Sequence, residues 1–266
     1  MLPPPGTWQN VSAEDLRDLL RQPVDLVLVD VRSPEEFADG HIPGARLIPL
    51  PEFESALDDL DADRLHVFYC HSGVRSLYAA RLAAEARSLP ALNLQGGILA
   101  WRGEMLDGMP AIHVFQGAET VHDAILRAAE LEQATQRMYL ALFARFRDTP
   151  AGATFETLAR AESVHASHLT ALLPASVEPI ATDARSPIES GGVLADVLQR
   201  IDSAPMLSRE TALELALAVE YSALDMYENL AARASTDALR SAFEDLARNE
   251  RRHAAAVIDA FRGLPG

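Results

Sequence analysis

The sequence predicts an α/β domain on a parallel sheet, followed by an all-α four-helix bundle with one long crossover. Three observations carry this. From residue 24 to about residue 94, short apolar runs alternate with helical patterns, as strands covered on both faces require. From Glu119 onward only helical periodicity remains. Within that helical half, Glu132, Tyr139, Glu162 and His165 reappear 88 positions later as Glu220, Tyr227, Glu250 and His253.

The strand runs are LVLVDV at 26–31, RLIPL at 46–50, HVFYC at 66–70 and LNL at 92–94, with a helix over 76–87 between the last two. The strand pattern stops near Gly108-Met109-Pro110, which places the junction at about 113–118 and the domains at 1–113 and 119–266. A chain of 266 residues suffices for two cores. The second half reads as helices over roughly 119–147, 152–173, 208–233 and 236–262. Residues 174–207 join the halves of the repeat, with a short helix expected over 191–203. A helix of ~20 residues is ~30 Å long, so this connector can run the length of the bundle and start the third helix parallel to the second.

Composition narrows the function. The formal net charge is −16 and every basic residue is arginine, so neither nucleic acid nor an anionic membrane is an expected partner. No apolar run reaches the ~18 residues of a membrane span. The first twenty residues have neither a basic leader nor an apolar core, so a soluble cytoplasmic protein is expected. The single cysteine, Cys70, excludes an internal disulfide and a second-cysteine relay within the chain.

The repeat describes a metal site. Glu-x-x-His puts both side chains on one helix face, so Glu162 with His165, and Glu250 with His253, can point at one object. Glu132 and Glu220 add a carboxylate each from the other helices. Four carboxylates and two imidazoles form the ligand set of di-iron and di-manganese bundles, and two divalent cations would neutralise the four charges. His168 has Ala256 at the same offset and reads as a surface or core histidine. Tyr139 and Tyr227 lie nearly two turns beyond a ligand; each is a core tyrosine in need of a partner, a support for a ligand carboxylate, or both.

On the E-x6-Y and E-x-x-H motifs, residues 119–266 resemble the ferritin-like superfamily, and its rubrerythrin branch in particular. The resemblance implies two iron ions, with manganese as the alternative, and reaction with dioxygen or hydrogen peroxide. Glu162 and Glu250 would bridge, and Glu132 and Glu220 would be terminal. Two departures stand out. Rubrerythrins carry a further ligand Glu where this chain has Ala223, and they commonly append a four-cysteine iron site, which one cysteine cannot build. Electrons must then come from an external donor.

Cys70 ends an apolar strand, and His71, Ser72, Gly73, Val74 and Arg75 lead from it to a helix opening at Ser76. Backbone N–H groups and the helix dipole at such a junction stabilise a thiolate. Arg75 could order the cradle or hold an anionic substrate. Residues 7–113 resemble a rhodanese on Asp30-Val31-Arg32 with Glu36-Phe37, Gly40-His41-Ile42-Pro43-Gly44-Ala45, the loop 70–75, Gly96-Gly97, and Ala100-Trp101. The resemblance implies that Cys70 takes a sulfane sulfur from a small-molecule or protein donor and passes it to a thiophilic acceptor. Arg32 and Glu36, four apart, read as an ion pair. A tyrosine-phosphatase loop needs five residues between Cys and Arg, and this one has four.

Together these readings make the chain a sulfurtransferase fused to a di-iron domain, expected as a homodimer and serving sulfur or oxidative-stress metabolism. The alternative is a persulfide carrier or iron-binding protein without catalysis.

Overall fold

The computed structural model describes residues 2–22, 24–118, 120–173, 182–203 and 207–263. The chain divides into two compact units, Met1–Pro110 and Ala111–Gly266. The division falls just ahead of the expected junction, because the short turn Ile112–Phe115 packs with the helical unit through Phe115.

In the first unit, strands β1 (Trp8–Val11), β2 (Leu26–Asp30), β3 (Ala45–Leu47), β4 (Leu65–Tyr69) and β5 (Ala91–Leu94) form one parallel sheet in the order β1-β5-β4-β2-β3. The helices are α1 (Ala13–Leu20), α2 (Pro34–Ala38), α3 (Phe53–Ala56), α4 (Val74–Arg87) and α5 (Gly97–Ala100). Alternate strand residues feed two cores. Val27, Val29 and Phe68 meet Phe53 and the α4 alanines 79, 80, 83 and 84 on one face, while Leu26, Leu28, Val67 and Tyr69 meet Leu16, Phe37 and Trp101 on the other. Each Val, Leu or Phe among them, removed from water, contributes roughly 1.5–3 kcal/mol.

Three sequence expectations need correction here. Strand β1 has no apolar run to announce it: Gln9 and Asn10 are exposed, and the segment becomes a strand only by pairing with β5. Helix α4 opens at Val74, two residues early, so Arg75 and Ser76 lie in its first turn. Arg32 and Glu36 do not pair. Arg32 is buried against Asp30, with its Nη2 2.7 Å from the carboxylate, and donates to the Gly40 carbonyl at 2.7 Å. A buried guanidinium has to satisfy its donors within the core, and Asp30 at the end of β2 lies next to it.

The second unit contains α6 (Val121–Phe146), α7 (Pro150–Ala171), α8 (Leu194–Ser203), α9 (Arg209–Ala232) and α10 (Asp237–Arg262). Thr120, Thr149, Ser208 and Thr236 each cap a long helix by accepting a backbone N–H. Pro150 at the first position of α7 explains why that helix starts ahead of the expected 152. The short helix expected over 191–203 forms as α8, whereas residues 174–181 and 204–206 of the expected crossover lie outside the described residues.

Helix directions follow from two apolar clusters. Helix α6 contributes residues 124–131 to one cluster and, after Glu132, residues 134–146 to the other. Helix α10 runs the same way, switching between Ala247 and Val257 across Glu250. Helices α7 and α9 run the opposite way, switching across Glu162 and Glu220. The second and third helices of the bundle are therefore parallel, the arrangement a single long crossover produces. The glutamates form a polar layer between the two cores. Among the described residues, no helix is long and apolar enough to cross a membrane.

Candidate functional site

Cys70 follows β4 directly, at the carboxyl end of the parallel sheet where ligand crevices form. Its Sγ accepts the Gly73 N–H at 3.1 Å and lies 3.4 Å from the Ser76 hydroxyl. That hydroxyl also lies 2.7 Å from Asn93 Oδ1. Its one proton can serve the sulfur or the amide, but not both at once. Burial works to raise the Cys70 pKa, yet the Ser76 hydroxyl and the amides of Ser76, Ser72 and Gly73 outweigh it, and the thiol ends below its ordinary value.

Glycines let the backbone close on this loop. Gly73 has φ +91°. A Cβ on Gly97 would stand 2.4 Å from the Cys70 carbonyl, and the Ile98 N–H donates to that same carbonyl at 2.8 Å. His71, Ser72 and Val74 are exposed. Arg75 donates to both oxygens of Glu36, at 2.8 and 2.7 Å, and the Arg75 hydrogen bonds hold the Glu36 carboxyl down at about 2. Arg75 is thus clamped by a residue of α2, which the sequence had paired with Arg32.

In the bundle, all six repeated side chains converge. Glu132, Glu162, His165 and Glu250 form one group and Glu162, Glu220, Glu250 and His253 another, the ligand atoms of each lying within 4.8 Å of one another. Glu162 and Glu250 belong to both. His165 Nδ1 lies 3.0 Å from Glu132, 3.3 Å from Glu162 and 3.6 Å from Glu250. His253 Nδ1 lies 3.1 Å from Glu250, 3.2 Å from Glu220 and 3.5 Å from Glu162. The two rings stack with centroids 5.2 Å apart. His168 is exposed and outside the layer.

The tyrosines cross between the repeats. Tyr139 donates to Glu220, and Tyr227 donates to Glu132 at 2.8 Å. Each half of the repeat thus steadies the other half's carboxylate.

Burial, followed by repulsion from Glu162, pushes the Glu132 carboxyl up to about 7, and the same two causes raise Glu250 well above the ordinary range. Both oxygens of Glu162, Oε2 of Glu220 and Oε1 of Glu250 are buried without a hydrogen bond. Orphaned carboxylate oxygens beside imidazole nitrogens are a poor core for apolar packing but a fitting cage for cations. The clusters are compatible with a dimetal site.

The repeat did not reveal Glu189. It sits between Pro187 and Val193, which pair as an antiparallel bridge ahead of α8, and it is 1% exposed. Its Oε1 lies 3.0 Å from the Tyr227 hydroxyl, and burial holds its carboxyl well above the usual range. No residue at the 88-residue offset matches it, because the crossover occurs once. The sole trace in the sequence is a glutamate in an apolar turn, Pro-Ile-Glu-Ser-Gly-Gly.

Comparison with known proteins matches both units. The family model for a rhodanese-like domain matches residues 12–104, and that for rubrerythrin matches residues 211–266. A putative sulfurtransferase of Bacillus subtilis, YtwF, is 34% identical over 96 residues, 36% of this chain and 92% of that protein. A sulfurtransferase of Allochromatium vinosum is 37% identical over 91 residues, 34% of this chain and 85% of its own length. Among solved structures, a rhodanese-like domain protein from Staphylococcus aureus is 31% identical, covering 37% of this chain and 97% of that one with a TM-score of 0.35. With Cys70 at the head of its loop, the chain belongs to the rhodanese-like family through its first unit, and its second unit, with the glutamate–histidine layer, matches the rubrerythrin family model over residues 211–266.

Proposed function

We propose that the first unit transfers sulfane sulfur through a persulfide on Cys70, and that the second holds two metal ions, iron in the first instance, that react with dioxygen or peroxide. The observation supporting the sulfur chemistry is the Cys70 sulfur cradled by its own loop, with the Gly73 N–H at 3.1 Å and the Ser76 hydroxyl at 3.4 Å. The Cys70 thiolate attacks the outer sulfur of a donor such as thiosulfate, the S–S bond breaks, and sulfite leaves with the bonding pair. The amides and Ser76 then face the terminal persulfide sulfur, and Arg75, oriented by Glu36, supplies positive charge at the loop. A thiophilic acceptor takes that sulfur and returns the thiolate.

For the bundle, the supporting observation is the sharing of Glu162 and Glu250 between two four-residue groups. Glu132 with His165 would hold one ion, Glu220 with His253 the other, and Glu162 with Glu250 both. Bound iron would supply electrons to an oxygen species. Tyr139 and Tyr227 orient the outer carboxylates, and the apolar clusters on either side exclude water. Electrons come from an external donor, since the chain has one cysteine. The domains' union in one chain fits a role in sulfur or oxidative-stress metabolism, with the chain working as a homodimer.

Turnover of thiosulfate with cyanide, and consumption of peroxide by the iron-loaded chain with an artificial reductant, test the two halves separately. Failure of either under reducing, metal-replete conditions would leave that unit a carrier rather than an enzyme.

A further inference from the structure

We infer that Glu189 is a fifth carboxyl of the buried layer, one that carries a proton, donates it to the Tyr227 hydroxyl and so positions Glu132. The inference rests on the dimetal reading and deepens it. The route by which Glu189 arrives is specific. Ser186 anchors the segment by donating to Glu130 of α6 at 2.9 Å, the Gly191 and Ile188 backbones close a turn at 2.8 Å, and Ile188 is fully buried in the core. The Glu189 N–H then donates to Thr135 Oγ1 at 3.3 Å.

Counting hydrogens locates the proton. Three oxygens stand in a row: Glu189 Oε1, 3.0 Å from the phenol oxygen, which is 2.8 Å from Glu132 Oε1. Two hydrogen bonds need two hydrogens, and the phenol has one. A carboxyl must supply the other. Glu132 has His165 Nδ1 3.0 Å from its other oxygen and belongs to a cation-holding group, so its charge is useful where it stands. The other oxygen of Glu189 is buried with no hydrogen bond. An orphaned carbonyl oxygen costs far less there than an orphaned carboxylate oxygen. Charge balance agrees, because the four repeated carboxylates already match two divalent ions, and a fifth negative charge would stand unpaired.

Among the described residues the arrangement occurs once. Thr135, which receives the Glu189 N–H, has Ala223 as its counterpart in the second repeat, and among the described residues Tyr139 donates to Glu220 with no second carboxyl hydrogen-bonded to it. The two ends of a repeated site are thereby made unequal, with a proton stored one phenol away from Glu132.

The test uses the full-length chain loaded with zinc, a redox-silent probe. The infrared spectrum of the wild type should contain a protonated-carboxyl carbonyl band that shifts in heavy water and is absent from Glu189→Gln. Glutamine can still donate to Tyr227, so Glu189→Gln should keep two zinc ions at near wild-type affinity, whereas Glu189→Ala should weaken one of them about 10- to 100-fold. An acid band unchanged in Glu189→Gln, or wild-type zinc affinity in Glu189→Ala, overturns the inference while leaving the dimetal reading intact. Fewer than two zinc ions in the wild type overturns that reading, and the role of Glu189 with it.

Discussion

Cys70 and Glu162 are both almost wholly buried, and each is placed to carry negative charge, yet they are accommodated by opposite means. Cys70 draws its donors from the six residues that follow it: amides of the loop and the Ser76 hydroxyl. Glu162 has no hydrogen bond to either oxygen, and beside His165 of its own helix its neighbours come from three other helices. One anion at the carboxyl end of a sheet can be stabilised by local dipoles. Four carboxylates in an apolar bundle have no such local dipoles to draw on, and their arrangement suits cations.

The sharpest way to break this contrast is at the sulfur. Cys70→Ser should abolish the cyanide-reversible gain of one sulfur seen by mass spectrometry after thiosulfate treatment, since Cys70 is the one thiol. An adduct surviving in the serine variant would show that another group carries sulfur.

Next in size is metal dependence. Two ions per chain are expected in the wild type and fewer in Glu162→Ala or Glu250→Ala, measured by metal analysis after anaerobic loading. Metal at about a hundred times its dissociation constant should stabilise the bundle by about 2.7 kcal/mol, reversed by a chelator. Identical thermal unfolding with and without metal would mean that the carboxylates are satisfied some other way.

Tyr139→Phe probes the support of a single carboxylate. Removing a bond to a charged acceptor costs about 1.5–3 kcal/mol, and zinc binding should weaken by about tenfold or more. Unchanged binding would make Tyr139 a packing residue.

Ser76→Ala should act through pH. Ser76 helps to lower the Cys70 pKa, so its loss raises that pKa, and persulfide formation should fall at neutral pH and recover as pH rises. A pH profile that does not move would remove Ser76 from thiolate stabilisation.

The smallest effect belongs to Glu36. Its folded pKa is depressed to about 2, chiefly by Arg75, so the pair's stabilisation is present at neutral pH and lost as pH falls from the ordinary carboxylate range toward 2. Both side chains are about a third exposed, which limits the pair to less than about 1 kcal/mol. Glu36→Gln should therefore flatten the acid limb of unfolding only slightly, while slowing thiosulfate turnover by loosening Arg75. Turnover equal to wild type would show that Arg75 needs no clamp.

The residues themselves determined most of this protein. Periodicity marked four of five strands and every long helix, because burial on one or both faces imposes a spacing that the chain carries locally. An offset repeat marked the six glutamate and histidine residues that converge, because two similar helical hairpins build one layer. Tertiary structure decided what has no local trace. Strand β1 exists because β5 offers it an edge, and Gly97 is needed because Cys70 passes within contact distance. Arg32 took Asp30 at the end of β2 and left Glu36 to Arg75, which folding brings to it from α4. Glu189 entered the site from a crossover that is used once, so no period or repeat could point to it.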